Sequence, residues 1–142
     1  MRVDNSEQPN SRWYSGCGIY RNVWLTTTDP IHVDLWGTYV TTPEITKEQA
    51  SVLVETNVKN ETNTAEEIVV STSILDAKGK SVLEYISSHV TNPGEIAEVS
   101  QHLHINDPVL CTLENPYLYS VFTKIYTGIK LRDEYVTPLG VR

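Results

Sequence analysis

The chain has 142 residues, and its 11 lysines and arginines stand against 18 aspartates and glutamates, which gives a formal net charge of -7. This length predicts one domain and is too short for a complete (β/α)₈ enzyme barrel, and the acidic balance excludes a surface that neutralises nucleic-acid phosphates. No stretch approaches the roughly 20 consecutive apolar residues of a membrane span, and the N-terminus lacks the apolar run of a secretion signal. We therefore expect no nucleic acid and no membrane among the partners.

The first 29 residues differ in character from the rest of the chain. A stretch of this length cannot bury several large aromatic rings by itself, so we expect it to pack against another domain. A polar linker then leads into a different pattern, and the expected domains are 1–29 and 30–142. The aromatic side chains of the leading segment include Trp13, Tyr14, Tyr20 and Trp24.

The rest of the chain has the composition and the periodicity of a β protein. The sequence contains 16 valines, 16 threonines and 10 isoleucines, and branching at Cβ favours strands over helices. Four runs alternate with a period of two, which places each set of side chains on one face of a strand. These sets are Val52, Val54, Thr56 and Val58; Ile68, Val70, Thr72 and Ile74; Val99, Gln101, Leu103 and Ile105; and Tyr119, Val121, Thr123 and Ile125.

Turn-forming residues separate the runs. A first strand near residues 31–40 and a last strand near 131–137 bring the expected number to about seven. Seven antiparallel strands are typical of an immunoglobulin-like β-sandwich, so we predict an all-β fold of this class. The predicted turns are Asn60–Asn63, Asp76–Gly79, Asn92–Gly94, Asn106–Pro108 and Thr127–Gly128.

The two cysteines, Cys17 and Cys111, do not form a metal-binding spacing. We expect two separate, mostly buried thiols, because unpaired cysteine behaves as a small apolar residue. One bridge between them is the alternative, so the redox compartment stays open. The sequence also lacks a glycine-rich phosphate loop and a nucleophile elbow, and we predict no cofactor.

His102 and His104 lie two residues apart in a predicted strand. This offset can bring two imidazoles to one metal ion. However, Gln101 and its alternating neighbours occupy the opposite, inward face, so we expect both histidines to face solvent and predict no metal site. His32 and His89 are expected to be surface or interface residues.

The carboxylates are scattered along the chain. Glycosidases need two facing carboxylates, one of them with a pKa raised by burial. Adjacent residues on a strand point to opposite faces, so neighbouring acids are poor candidates for joint acid and base work. We expect Glu66–Glu67, Glu95, Glu98 and Asp133–Glu134 to be solvated turn flanks.

Three segments resemble glycoside hydrolase family 2. Residues 11–25, S-R-W-Y-S-G-C-G-I-Y-R-N-V-W-L, are similar to the R-W-Y-x-G-x-G-I-Y-R-x-V-x-L ending of that family's sugar-binding jelly-roll domain. Glu114–Tyr119 resembles its E-N-P-x-L-Y signature. Leu139–Arg142 resembles the F-G-x-R junction that precedes its catalytic barrel.

The resemblance implies that residues 1–29 are the end of the sugar-binding domain and that residues 30–142 are one sandwich, ending at the junction to the barrel. The catalytic glutamates of the family lie on the barrel, so this chain is expected to contain none and to be inactive alone. Its partners would be neighbouring domains of the same polypeptide, and carbohydrate only through the parent enzyme. The location of the parent stays open, with the periplasm and the extracellular space as candidates.

The resemblance also suggests roles for single residues. Arg12 and Trp13 are candidates for the rim of the parent's sugar site, with packing at a domain interface as the alternative. Tyr117 and Tyr119 share a face, and a tyrosine there can bond the backbone across a sandwich corner. The residues expected to set the fold are Gly18, Tyr20, Arg21, Asn115, Pro116, Tyr117, Tyr119, Gly140 and Arg142.

One segment departs from the family pattern. The family often shows L-W-S-P before E-N-P, whereas this chain has L-C-T-L at residues 110–113. The subfamily and the sugar specificity therefore stay open.

Two functions are compatible with the sequence. The first is a non-catalytic sandwich domain of a family 2 enzyme, most simply a β-galactosidase that cleaves terminal β-glycosides in carbohydrate metabolism. The alternative is an autonomous carbohydrate-binding or adhesion module, since fold alone does not separate the two. Because the leading segment is separated from its parent sheet, it is expected to pack on the sandwich, stay mobile or pair two copies into a homodimer without biological meaning.

Overall fold

The computed structural model describes residue 4, residue 18 and residues 21–142. Their strands form a three-stranded sheet in the order β1-β2-β5 and a four-stranded sheet in the order β4-β3-β6-β7, and every pairing is antiparallel. The prediction of an all-β, immunoglobulin-like sandwich is confirmed. No helix in this part of the chain is long and apolar enough to span a membrane. The strands are β1 (Ile31–Thr41), β2 (Gln49–Asn60), β3 (Glu66–Leu75), β4 (Ser81–Thr91), β5 (Ile96–Asn106), β6 (Tyr119–Thr127) and β7 (Lys130–Leu139).

The core consists of the side chains that the period-two pattern places inward. All members of the four predicted sets are at most 3% exposed, so the alternation is confirmed. They meet in two apolar clusters drawn from both sheets. The first cluster includes Val52, Val54, Ile74, Leu103 and Val121, and the second includes Val58, Ile68, Val70, Val99 and Ile125.

Polar side chains also lie inside the sandwich, among these apolar neighbours. The amide nitrogen Nε2 of Gln101 donates to the carbonyl oxygen of Val70 at 3.1 Å and lies 2.8 Å from the hydroxyl of Ser87. Thr72 and Thr123 face each other across β3 and β6 and are both fully buried. Among the described residues, their hydroxyls have no hydrogen-bond partner. Some of the polar groups inside the sandwich are therefore hydrogen-bonded, and others among the described residues are not.

Buried Asn60 holds one end of the sandwich together. Its Nδ2 donates to the carbonyl oxygens of Thr64 at 3.0 Å and Thr91 at 3.2 Å, while its Oδ1 accepts from the amide of Thr62 at 2.9 Å. One side chain thus ties the β2–β3 turn to the end of β4. Asparagine suits this position because its amide both donates and accepts.

The β3–β4 turn is stabilised by Asp76. Its carboxylate accepts hydrogen bonds from the backbone amides of Lys80 at 2.9 Å and Lys78 at 2.8 Å. The Lys80 amide bond is the largest influence on Asp76 and lowers its pKa. Gly79 has a φ of 80°, a conformation that side chains rarely adopt. The turn predicted at Asp76–Gly79 is confirmed.

Candidate interdomain surface

The chain enters the sandwich through a charged contact between the linker and β7. The Asp29 carboxylate lies 3.2 Å from Nη1 of Arg132 and 3.4 Å from Nζ of Lys130, and it accepts a hydrogen bond from the amide of Ile31 at 3.2 Å. Arg132 also donates from Nε to the hydroxyl of Thr127. We call Asp29, Lys130 and Arg132 the linker clamp. It fixes the direction in which the chain reaches β1.

The linker clamp is partly shielded from water. The side chains of Asp29 and Arg132 are 19% and 24% exposed. Partial burial by itself raises the pKa of Asp29, but the Ile31 amide and the Arg132 and Lys130 cations together outweigh it and lower the pKa below the ordinary carboxyl value. Asp29 therefore holds its negative charge more firmly in the folded chain than in the unfolded chain.

A second contact fastens β1 to β7. The Asp133 carboxylate accepts a hydrogen bond from the backbone amide of Val33 at 2.9 Å, and its other oxygen accepts from the amide of Glu134 at 2.9 Å. The prediction that Asp133 is a solvated turn flank is therefore wrong. Its side chain supplies an acceptor to β1 where the ladder to β2 is interrupted. Glu134 is exposed and lies 3.3 Å from Nζ of Lys124.

The interruption is a large bulge in β1. Val33 pairs with Val58 and Thr38 with Thr56, so five steps along β1 correspond to two along β2. A Cβ on Gly37 would lie 2.7 Å from the carbonyl oxygen of Asp34 and 3.0 Å from that of Asn57, so only glycine fits.

The bulge projects two large apolar side chains into solvent. Leu35 is 80% and Trp36 is 88% exposed, and we call this pair the bulge tip. Trp36 has a φ of 59°, in the left-handed region. That conformation costs a bulky residue about 1–2 kcal/mol.

The motif residues around Glu114–Tyr119 form a second junction. The hydroxyl of Tyr119 accepts a hydrogen bond from the amide of Val109 at 2.9 Å, ten residues upstream, which is the arrangement of a tyrosine corner. The hydroxyl of Tyr117 accepts from the amide of Ala77 at 3.2 Å. The two rings meet edge to face with centroids 5.0 Å apart.

The chain end packs against the same connection. The amide of Cys111 donates to the carbonyl oxygen of Val141 at 2.8 Å, and Val141 is fully buried. A Cβ on Gly140 would lie 3.4 Å from that of Cys111, so the two backbones approach closely. Cys111 is a free thiol and only half-buried. Arg142 is exposed.

Some predicted site residues lie outside the described part of the chain. These are Arg12 and Trp13, expected at a sugar-site rim, together with Tyr20 and Cys17.

Other residues that were predicted to set the fold are described. Gly18 has a φ of 129°, and Arg21 is exposed and has an interaction partner. Asn115 and Pro116 are exposed, and the Asn115 amide lies 3.0 Å from the Thr112 hydroxyl.

The histidines are spread over the sandwich. His102 and His104 are exposed on β5, as the alternation predicts. The Nδ1 atom of His32 lies 2.9 Å from the Asp29 carbonyl oxygen, and Nε2 of His89 lies 3.1 Å from the Ser87 hydroxyl. Across the described residues, no three His, Cys, Asp or Glu side chains are grouped as a metal site.

An open cleft lies beside the second junction. It has a volume of about 490 Å³ and is lined by Leu75, Asp76, Pro116, Leu118 and Phe122 among others. Its walls are the β3–β4 turn and the start of β6. Asp76 is engaged by two backbone amides, so the cleft presents no carboxylate that is set up for proton transfer.

Comparison with known proteins decides the family. Residues 31–142 match the family model described as glycosyl hydrolases family 2. The chain belongs to that family. The expected resemblance is thereby confirmed, and the geometry above is that of a family 2 sandwich.

Named relatives of this family 2 chain are much longer than the chain itself. It is 48% identical over its whole length to a β-galactosidase, BoGH2A, of Bacteroides ovatus, and covers 17% of that protein. It is 36% identical over 88% of its length to a β-glucuronidase of Formosa agariphila, of which it covers 14%. A solved family 2 structure from Bacteroides cellulosilyticus superposes with a TM-score of 0.90 at 35% identity, over 99% of this chain and 19% of that one.

Sequence reasoning missed the residues that shape the β1 edge of this family 2 sandwich. The linker clamp and Asp133 join residues about one hundred positions apart, and no local pattern encodes such a pair. Gly37 was the available signal for the bulge, because glycine inside a strand often marks one.

Proposed function

We propose that the chain is the non-catalytic sandwich domain of a family 2 glycoside hydrolase, in which it orients the sugar-binding domain and the catalytic barrel. The parent enzyme cleaves terminal β-glycosides. The match of 48% to a protein named as a β-galactosidase makes a β-galactosidase the first choice. The alignments to three relatives extend over 142 or 134 residues but cover only 13% to 17% of the length of those proteins. This coverage supports the proposal that the chain is part of a larger enzyme.

The observation that carries this proposal is the exposure of the carboxylates together with the direction of their pKa shifts. No aspartate or glutamate is among the buried residues of the described part of the chain. Among the described carboxyl groups, those of Asp29, Glu61 and Asp76 have shifted pKa values, and all three are lowered. A glycosidase acid needs the opposite shift, produced by burial in an apolar pocket.

The orienting role rests on two fixed points. The linker clamp holds the incoming chain against the start of β7, and the Cys111–Val141 hydrogen bond holds the outgoing chain near its end. Between them β7 is paired with β6 from Lys130 to Leu139, with one register shift at Arg132. Catalytic groups on neighbouring domains need positions accurate to a fraction of an ångström, and a rigid spacer of this kind supports that accuracy.

Hydrolysis assays test both parts of the proposal. The isolated chain should not cleave aryl β-galactosides or aryl β-glucuronides, whereas the full-length protein should cleave one of them. In the full-length protein, Asp29→Ala should lower kcat/KM by releasing the linker. Lys124→Ala is the matched control, because it breaks the exposed Lys124–Glu134 pair without touching the linker.

Two results would contradict it. Hydrolysis by the isolated chain that persists through further purification would overturn the non-catalytic assignment. Unchanged kcat/KM for Asp29→Ala, with the sandwich folded, would overturn the orienting role.

One observation favours the second candidate, an autonomous carbohydrate-binding module. Trp36 and Tyr39 are 88% and 63% exposed on the same strand, and an exposed indole face suits the apolar face of a sugar. Micromolar binding of galactosides or glucuronides by residues 31–142 alone would favour this candidate. Leu35, which is next to Trp36 and 80% exposed, supports a protein partner instead.

A further inference from the structure

The bulge tip is an exposed apolar surface on a strained backbone. It combines two neighbouring apolar side chains, Leu35 and Trp36, with a left-handed backbone at Trp36 and a bulge that only Gly37 permits. In the sandwich alone, this arrangement has a cost and no compensating contact. Backbone strain of this kind persists where contacts with the surrounding structure or with a partner stabilise the strained conformation.

We propose that the bulge tip docks into an apolar pocket of the domain that precedes residue 30 in the full-length protein. This proposal rests on the proposed function, since it takes the chain to be one domain of a family 2 enzyme. It names the surface through which the sandwich holds its N-terminal neighbour.

The chemistry of the bulge tip favours a protein partner. Tryptophan is enriched among the few residues that carry most of the binding energy of an interface, and such anchors fill pockets that exclude water. Leu35 adds an aliphatic side chain beside the indole. A sugar site places polar groups next to an aromatic face, whereas an aliphatic neighbour is typical of the apolar centre of an interface.

The position of the bulge tip selects the N-terminal neighbour. Trp36 lies seven residues after Asp29, which the linker clamp fixes against Arg132. Seven extended residues span at most about 25 Å, so a domain attached at the linker lies within reach. The chain leaves the sandwich near Val141, beyond the far end of β7.

The segment before the linker carries a matching surface. Val23, Trp24 and Leu25 are 72%, 82% and 91% exposed, so the sandwich does not bury them. Apolar side chains thus stand unburied on both sides of the linker clamp. One neighbouring domain that receives both sets accounts for them together, and burial of apolar surface drives the contact.

Hydroxyl-radical footprinting of the Trp36 indole tests the contact directly. Oxidation of Trp36, read by mass spectrometry, should be several-fold slower in the full-length protein than in the isolated chain. The measurement reports burial whether or not the full-length protein cleaves a glycoside, so failure of the contact and failure of the proposed function are distinguishable.

The substitution Trp36→Gly provides a second readout through a change of sign. In the isolated chain it should raise the unfolding temperature, because glycine accepts the left-handed conformation without strain. In the full-length protein it should lower the unfolding temperature, because the anchor is lost. Asp107→Gly is the matched control: within residues 21–142, Asp107 is the other non-glycine residue with positive φ, at 47°, and its change should act in the same direction in both proteins.

Three other outcomes would overturn the proposal, and two of them would identify a different binding partner for the bulge tip. Equal oxidation of Trp36 in both proteins means that the neighbouring domain does not cover the bulge tip. Protection that appears in the isolated chain as its concentration rises assigns the bulge tip to a second copy. Protection of the isolated chain by methyl β-galactoside or methyl β-glucuronide assigns it to carbohydrate.

Discussion

Replacing Thr72 by valine should make the sandwich more stable. Thr72 lies on β3 opposite Thr123 on β6. Both side chains are fully buried, and neither hydroxyl has a hydrogen-bond partner among the described residues. Valine has nearly the same shape as threonine, so Thr72→Val removes an unsatisfied polar atom and leaves the packing in place.

The expected gain in the free energy of unfolding follows from the cost of burying the Thr72 hydroxyl without a hydrogen bond. Burying a hydroxyl without a hydrogen bond costs about 1–3 kcal/mol on the scale of mutational data. Some of that cost is recovered by local adjustment in the native protein, so we expect a gain of about 1–2 kcal/mol in the free energy of unfolding. At roughly 3 °C per kcal/mol for a domain of this size, the unfolding temperature should rise by about 3–6 °C.

Urea denaturation followed by circular dichroism measures this change, with the m-value as a check that the unfolded states are comparable. Thr62→Val is the matched control, because the Thr62 hydroxyl lies 2.7 Å from Oδ1 of Asn60 and is hydrogen-bonded. It should lose about 0.5–1.5 kcal/mol. A loss of stability in Thr72→Val as large as that of the control would refute the reasoning, since it would mean that the Thr72 hydroxyl is bonded in the native state.

Two further predictions concern the junctions. Tyr119→Phe should destabilise the chain by about 1–3 kcal/mol in urea denaturation, because it leaves the Val109 amide without its acceptor; an unchanged midpoint would argue against the tyrosine corner. Asp29 has a pKa lowered in the fold, so its stabilising contribution is fully present above its ordinary pKa of 3.8 and is lost as the pH falls through the lower, folded-state value. The difference in unfolding free energy between the wild type and Asp29→Asn should therefore be largest at neutral pH and shrink in acid, and a difference that grows in acid would contradict this assignment.

The sequence predicts the strands well because burial in a sandwich imposes a strict local rule. The inward positions of β2, β3, β5 and β6 are apolar residues or threonines apart from Gln101 and Asn60, so the period of two is visible within each strand. The same rule fails in β1 after Val33. Leu35 has the parity of Ile31 and Val33 but is exposed, because the bulge inserts three extra residues and reverses the faces.

The candidate surface is harder to predict for a different reason. The linker clamp and the Asp133–Val33 contact depend on β1 lying beside β7. The residues that meet there are about one hundred positions apart in the sequence, and only the tertiary fold brings them together. A single sequence shows only that Asp133 is an acid next to Glu134, and this pattern favours a side chain that is exposed to solvent. Only the packing of the two sheet edges shows that its oxygen meets an unpaired amide.

The pairing of β7 with β6 limits how the length of the molecule can change. β7 has 10 residues, and at about 3.3 Å per residue the strand separates the points where the chain arrives and departs by about 30 Å. Removing or adding one residue within this strand, without a bulge to absorb the change, would turn every following side chain to the opposite face, whereas a change of two residues keeps the faces. If the sandwich spaces two neighbouring domains as proposed, changes in the length of β7 that keep its faces would alter that spacing in increments of about 7 Å, and finer adjustment would come from the linker and the residues after β7.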